Sequence, residues 1–331
     1  MARSIGYIAC LAAVLSLCPV LPAFQAPSED SLVSIAPHLQ ARILPKGDLP
    51  PAPDIRVDSS LVLIPAHVTT PFGTSITDLN KSDFQISEDG VSQTIRYFSK
   101  EEAPLSIGLL FDNSGSMRNK IAKAAEAAAA FFKTSNPQDE FFLVEFSERP
   151  KLVMPFTTDS DEIYDRIAHA RPFGRTALLD AIHLAMQQMK NAHNSRKAIV
   201  IVSDGGDNRS RHTEREIKSA LLESDLQVYA MGIFDDDPHK QAREERDGPR
   251  LLDELAEQSG GRHHRVERVE DLPAISEHIS EELRDQYLIG YSPSNETRDG
   301  RFRTVKLAVR GRANSADLRT YYRHGYYAPA R

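Results

Sequence analysis

Hydrophobic and polar positions change rhythm several times along the chain. After the basic Arg3, residues 5 to 17 are almost wholly apolar, and Pro19 and Pro22 close the run. Small residues at Ala23 and Ala26 follow, which predicts a cleaved signal peptide over residues 1–26 rather than an uncleaved anchor, and so an exported protein with no transmembrane helix in the mature chain. Residues 27–54 hold many prolines and no sustained period, the texture of an exposed linker. Between residues 55 and 100 the period shortens to two. Phe84-Gln-Ile-Ser-Glu88 and Thr94-Ile-Arg-Tyr-Phe98 alternate around an Asp89-Gly90 hairpin signal, and strand-like residues flank Pro65 on both sides. This β unit is too small to stand alone.

From residue 103 to 285 short buried runs alternate with helical stretches, the pattern of a doubly wound α/β domain. Residues 105–111, 197–202 and 226–234 read as buried parallel strands, and residues 263–266 as a last short one. Residues 140–146 and 151–156 are joined too closely for a crossover, so they predict a hairpin with one antiparallel edge strand. Helices are expected over residues 119–132, 159–170, 176–191, 213–223, 251–258 and 271–285, with a charged loop over residues 235–248. Residues 286–331 return to β texture. The expected fold is therefore a mostly parallel, Rossmann-like α/β domain inserted in a small β domain built from both flanks.

Composition changes little in this picture. With 40% hydrophobic and 26% charged residues among 331, the chain is ordinary for a globular protein. A net charge of −7 argues against a nucleic-acid partner or a general anionic-membrane binder. Cys10 and Cys18 both fall in the leader, so the mature chain has no disulfide to rest on.

Candidate chemistry gathers where the buried strands stop. Residues 105–111 end at Asp112-Asn-Ser-Gly-Ser116, and residues 197–202 end at Ser203-Asp204. Ligands of such sheets collect at the carboxyl ends of strands, where strand order reverses. Thr176, after Gly174-Arg175, opens a helix near the same rim. Asp112, Ser114, Ser116, Thr176 and Asp204 thus bring two carboxylates and three hydroxyls towards one point. Without a cation the facing carboxylates would push one pKa up. A hard ion, Mg²⁺ (or Mn²⁺ or Ca²⁺), suits an all-oxygen shell completed by water, with one position left for a carboxylate from elsewhere. Each piece also has a plainer reading. Ser114, Ser116 and Thr176 are good helix caps, and Asp204-Gly205-Gly206 is a common turn. Asp207 reads as a second layer of support or an exposed turn, Asp235-Asp-Asp237 as a second cation site or a solvated loop, and His263-His264 as structural.

Asp112-Asn-Ser-Gly-Ser116, Thr176 and Ser203-Asp204-Gly205 resemble the metal-ion-dependent adhesion site of von Willebrand factor type A domains. The flanks, with Asp83-Phe84, Glu88-Asp-Gly90 and Gly325-Tyr-Tyr327, are similar to those of bacterial proteins related to such domains. The resemblance implies that Ser114, Ser116 and Thr176 touch the metal, that Asp112 and Asp204 hold its waters, and that a protein ligand's Asp or Glu completes the shell. Arg175 departs from the pattern, since a small residue commonly precedes that threonine. Three functions follow as expectations: a cation-dependent adhesion module, a Mg²⁺-dependent phosphohydrolase with Asp112 as nucleophile, or a scaffold whose metal is structural. The second lacks a further aspartate, because Asn113-Ser114 stands in its place.

Overall fold

The first strand, β1 (Val62–Thr69), runs straight through Pro65 instead of breaking there. Pro65 lies opposite Leu288 on one side, while pairing on the other side begins only at Ala66. At that position the strand is a sheet edge, where a residue without an N–H is tolerated. β2 (Phe84–Glu88) turns through Asp89 and Gly90, both at positive φ, into β3 (Val91–Gln93). This two-residue turn matches the twist of the paired strands, and glycine enters its φ of 83° without steric cost. The hairpin partner of β2 is therefore β3, not the expected stretch from residue 94. β4 (Ile95–Ser99) leaves for a different sheet.

These coordinates are a computed structural model in which residues 61–100, 103–133, 135–234, 243–310 and 317–330 are described. The expected leader and linker, the start of the first β stretch and the Asp235–Asp237 loop lie outside them. The middle of the chain carries β5 (Leu105–Asp112), α1 (Ile121–Lys133), β6 (Glu140–Phe146), β7 (Pro150–Thr157), α2 (Ser160–Ala168), α3 (Leu178–Gln188), β8 (Arg196–Ser203), α4 (Glu214–Glu223), β9 (Leu226–Ile233), α5 (Arg243–Ser259), β10 (His263–Val266) and α6 (Leu272–Arg284). The sheet order is β10-β9-β8-β5-β6-β7, with only β7 antiparallel. Every residue of β5, β6 and β9 is buried, as expected for strands covered on both faces. Ile121, Phe131, Ile163, Ile279 and Leu283 pack one face; Leu178, Ile182, Ile217, Leu221 and Leu255 pack the other. This is the α/β layer predicted from the sequence.

α5 starts earlier than expected and contains Pro249. Two contacts hold it. Gly248 lies so close to the Asp204–Gly205 turn that a Cβ would come within 2.6 Å of the Asp204 carbonyl oxygen. Arg250 donates to Glu214 on α4 and to Glu254 one turn on.

β11 (Gln286–Tyr291), β12 (Phe302–Val309), β13 (Arg319–Tyr322) and β14 (Gly325–Tyr327) interleave with the early strands. The result is two antiparallel sheets, β13-β1-β11-β4 and β14-β12-β2-β3. Their shared core includes Ile64, Val68, Ile86, Tyr287, Ile289 and Leu307. Tyr291 ties the sheets together, its hydroxyl donating to the buried Glu88 carboxylate at 2.7 Å. Among the described residues no helix is long and apolar enough to cross a membrane.

Candidate metal centre

β5 and β8 are parallel neighbours, with Phe111 opposite Val202. The chain leaves β5 for β6 on one side and returns to β8 on the other, so the crevice between their carboxyl ends is the switch point of the sheet. Asp112 closes β5 with no exposed surface. Its Oδ1 accepts from the Ser114 N–H at 2.9 Å, and its Oδ2 from the Ser203 hydroxyl at 2.5 Å. Asp204, 3% exposed, follows β8; its Oδ1 accepts from the Gly206 N–H, while its buried Oδ2 has no partner. Burial and the neighbouring Asp204 carboxylate push the Asp112 carboxyl up to about 7, against the hydrogen bonds from Ser203 and Ser114. Among the described residues no lysine, arginine or histidine pairs with either carboxylate.

The hydroxyls are not used as helix caps. Ser114 precedes a single tight turn, Gly115–Met117, without a side-chain cap bond, and α1 begins only at Ile121. The Ser114 and Ser116 hydroxyls instead lie 3.0 Å apart, one buried and one exposed. Thr176 is not the cap of α3 either. Ala177 takes that position, and Asp207 reaches across to accept from the Leu179 N–H at 2.8 Å. Asp207 also accepts from Arg209 N–H, Ser210 N–H and the Ser210 hydroxyl, so it is a half-buried brace between the start of α3 and the loop after β8.

Three loops are stitched together around the crevice. Gly115 N–H donates to the Gly174 carbonyl at 3.1 Å, and Phe173 N–H to the Asn113 carbonyl at 3.0 Å. Thr176 N–H donates to Asn208 Oδ1, and Asn208 N–H returns to the Thr176 carbonyl. Asp112, Ser114 and Ser116 are thus linked directly, Asp204 follows the Ser203 that donates to Asp112, and Thr176 joins them through backbone bonds to the loop after β8. Two contributors were missed as such from sequence. Ser203 bridges the two strands, donating to Asp112 and accepting from the Gly205 N–H. Asn113 leaves a buried Oδ1 without a partner. Both stand at the end of an apolar run and inside the stretches that carry the resemblance, but neither position by itself indicates a role.

Among the described residues no three His, Cys, Asp or Glu side chains gather as a metal site. The donor set here is two carboxylates with neutral hydroxyls, and an orphaned carboxylate oxygen buried beside a second carboxylate is what a hard divalent cation fits.

Residues 107–206 match the family model of the von Willebrand factor type A domain. That stretch runs from β5 to just past Asp204, and the α/β layer has the fold of such a domain. The inter-alpha-trypsin inhibitor heavy chain 4 of Mus musculus is 28% identical over 148 residues, covering 39% of this chain and 15% of that protein. The chain thus spans a small fraction of that relative's length. A von Willebrand factor type A structure from Catenulispora acidiphila aligns at 12% identity over 83% of this chain and 75% of its own, with a TM-score of 0.47. The BatB protein of Bacteroides thetaiotaomicron aligns at 20% identity over 54% of this chain and 98% of its own, with a TM-score of 0.43.

Proposed function

We propose that the chain is an exported, divalent-cation-dependent binding module that captures a protein ligand through an Asp or Glu carboxylate. The observation that carries this reading is the pair of buried carboxylates, Asp112 and Asp204, left without a cationic partner among the described residues, with no hydrogen-bond partner there for Asp204 Oδ2. Two like charges removed from water are costly together, and an external divalent cation relieves both. Ser114, Ser116 and Thr176 would touch the ion directly, with Asp112 and Asp204 holding its waters, as the resemblance implies. The bound cation supplies a hard Lewis-acid centre for one further oxygen ligand. The apolar leader supports export.

The phosphohydrolase reading has less support. Asn113 and Ser114 occupy the positions after Asp112, and the nearby Lys120 ammonium donates to the Ile233 carbonyl. Calorimetric titration with Mg²⁺ and Mn²⁺ tests the proposal, with capture of partners from the native envelope with and without EDTA. The expected result is cation binding and EDTA-sensitive capture, both lost in Asp112→Ala with the fold retained. Capture indifferent to EDTA overturns it, and Asp112-dependent release of phosphate from a model phosphomonoester would favour the enzyme.

A further inference from the structure

The rim of the crevice is basic, although the chain as a whole is acid. Arg118 follows the turn after β5, Arg149 lies in the β6–β7 hairpin, Arg171 and Arg175 bracket the loop before α3, and Arg209 follows Asn208 after β8; all five are exposed. None forms an ion pair among the described residues. Their loops belong to the same rim, because Asn113 N–H donates to the Phe146 carbonyl, Ala177 N–H to the Ser147 carbonyl, and Asn208 N–H to the Thr176 carbonyl. The carboxylates that share these loops do not cancel them. Asp207 is engaged with Leu179 and Ser210, and only Glu148, packed on Gly174, faces solvent. The sequence returns to acid after β9, at Asp235, Asp236 and Asp237, outside the described residues.

Between Arg171 and Arg175 stands Phe173, 60% exposed, with its N–H bonded to the Asn113 carbonyl directly behind the crevice. Among the described residues the ring is left largely to solvent by a backbone that is fixed on a candidate ligand loop. Arginine forks and an aromatic face together are the composition of an interface centre.

We infer that this rim selects an acidic polypeptide segment: one carboxylate at the cation, further Asp or Glu side chains on Arg118, Arg149, Arg171, Arg175 and Arg209, and an apolar residue against Phe173. The inference rests on the cation-binding proposal for its central carboxylate. Phe173 is what favours a polypeptide over a sulfated glycan, which offers the anions without an apolar side chain.

The test uses the full chain and labelled peptides. One peptide carries a single glutamate, a second carries several, and a third adds phenylalanine beside the first glutamate; dextran sulfate serves as the competing polyanion. In Mg²⁺ the expected order of affinity is the third peptide, then the second, then the first. Each single Arg→Ala change weakens the poly-glutamate peptides by about two- to fivefold, and Arg171→Glu with Arg175→Glu weakens them by about tenfold or more. Both effects shrink as salt rises. Phe173→Ser removes only the advantage of the third peptide. Mn²⁺ still titrates in all these variants, no weaker than in the wild type, and more tightly in the charge-reversed one, whose added carboxylates attract the cation. Equal affinity for the first and second peptides, or reversal variants without effect, overturns the inference. Dextran sulfate bound through the same arginines, with the peptides left free, overturns the assignment to a polypeptide. Failure of the cation proposal is distinct: wild-type protein would give no heat with Mn²⁺, and the same arginine variants measured in EDTA would still decide the rim.

Discussion

Buried carboxylates are treated in opposite ways at two places in this molecule, the candidate centre and the Glu282 cluster. At the candidate centre Asp112 and Asp204 face one crevice with hydroxyls and backbone N–H groups as their partners. Glu282, on α6, is just as buried, yet it ion-pairs with Arg262, lies 3.0 Å from His278 Nε2 and 3.5 Å from His264 Nε2. Burial pushes the Glu282 carboxyl up, but the histidines and the Arg262 charge outweigh it and hold the group well below the usual carboxylate range. Arg262 in turn covers the Tyr321 ring of β13 at 4.5 Å, so the cluster joins the α/β layer to the β sheets. Where the chain brings its own cations, the carboxylate is a closed structural element. At the candidate centre the described residues bring none, and an ion from outside is what the proposed function would add.

The comparison can be broken most directly at Arg262. Arg262→Met leaves Glu282 buried without its principal cation and is expected to cost about 3–5 kcal/mol of unfolding free energy. Adding Glu282→Gln should recover much of that loss in urea titrations; a single change costing little would refute the structural role. The next effect is in acid. Burial, against the pull of Glu282, lowers His67 beside this cluster from 6.5 to about 4. Between those values the unfolded chain binds the additional proton, so stability falls as pH drops from 6.5 to 4, by up to about 3 kcal/mol. His278, raised chiefly by its hydrogen bond to Glu282, acts the other way: its stabilisation is complete below 6.5 and fades as pH rises through its raised value. His67→Gln should flatten the acid slope, measured by denaturation at saturating Mg²⁺.

At the candidate centre the sign of a carboxylate substitution is expected to invert. If the proposed site binds it, Mg²⁺ at about a hundred times its Kd should add about 2.7 kcal/mol to the wild type. Asp112→Asn should lose that gain yet be more stable than the wild type in EDTA, by about 1–2 kcal/mol, since the like-charge pair is gone. The smallest expected change is Ser116→Ala, on an exposed side chain. Its metal-free stability should move by less than about 0.5 kcal/mol, while Mg²⁺ binding weakens by about tenfold or more.

Much of the α/β layer was legible because its strands are covered on both faces and read as unbroken apolar runs, such as Ile199 to Val202. The β6–β7 hairpin was legible from spacing alone. The flanks were harder. Val91-Ser-Gln93 is too short and polar to announce a strand, and it forms one because the tight turn at Asp89 and Gly90 sets it against β2. α5 was misjudged at its start because Pro249 signals a stop, whereas contacts with Gly205 and Glu214 lie far away in sequence. At the crevice the chemistry-bearing types were visible, but their alternatives were not excluded. Only the structure reveals that Asp207 caps α3 and so releases Thr176 from that duty. The same limit hid the Glu282 cluster, whose members Arg262, His264, His278 and His67 share no motif.

The pairing of β4 with β11 has one further consequence. Leu288 sits opposite Ser99, although the whole α/β layer lies between them along the backbone. For an unfolded chain, joining such distant strands means closing a very long loop, which slows non-local pairing. Once the inner layer has folded, its two ends emerge side by side and the closure becomes as short as that of a hairpin. The pairing of β4 with β11 is therefore expected to follow completion of the inner layer, which pulse-labelled hydrogen exchange during refolding would check.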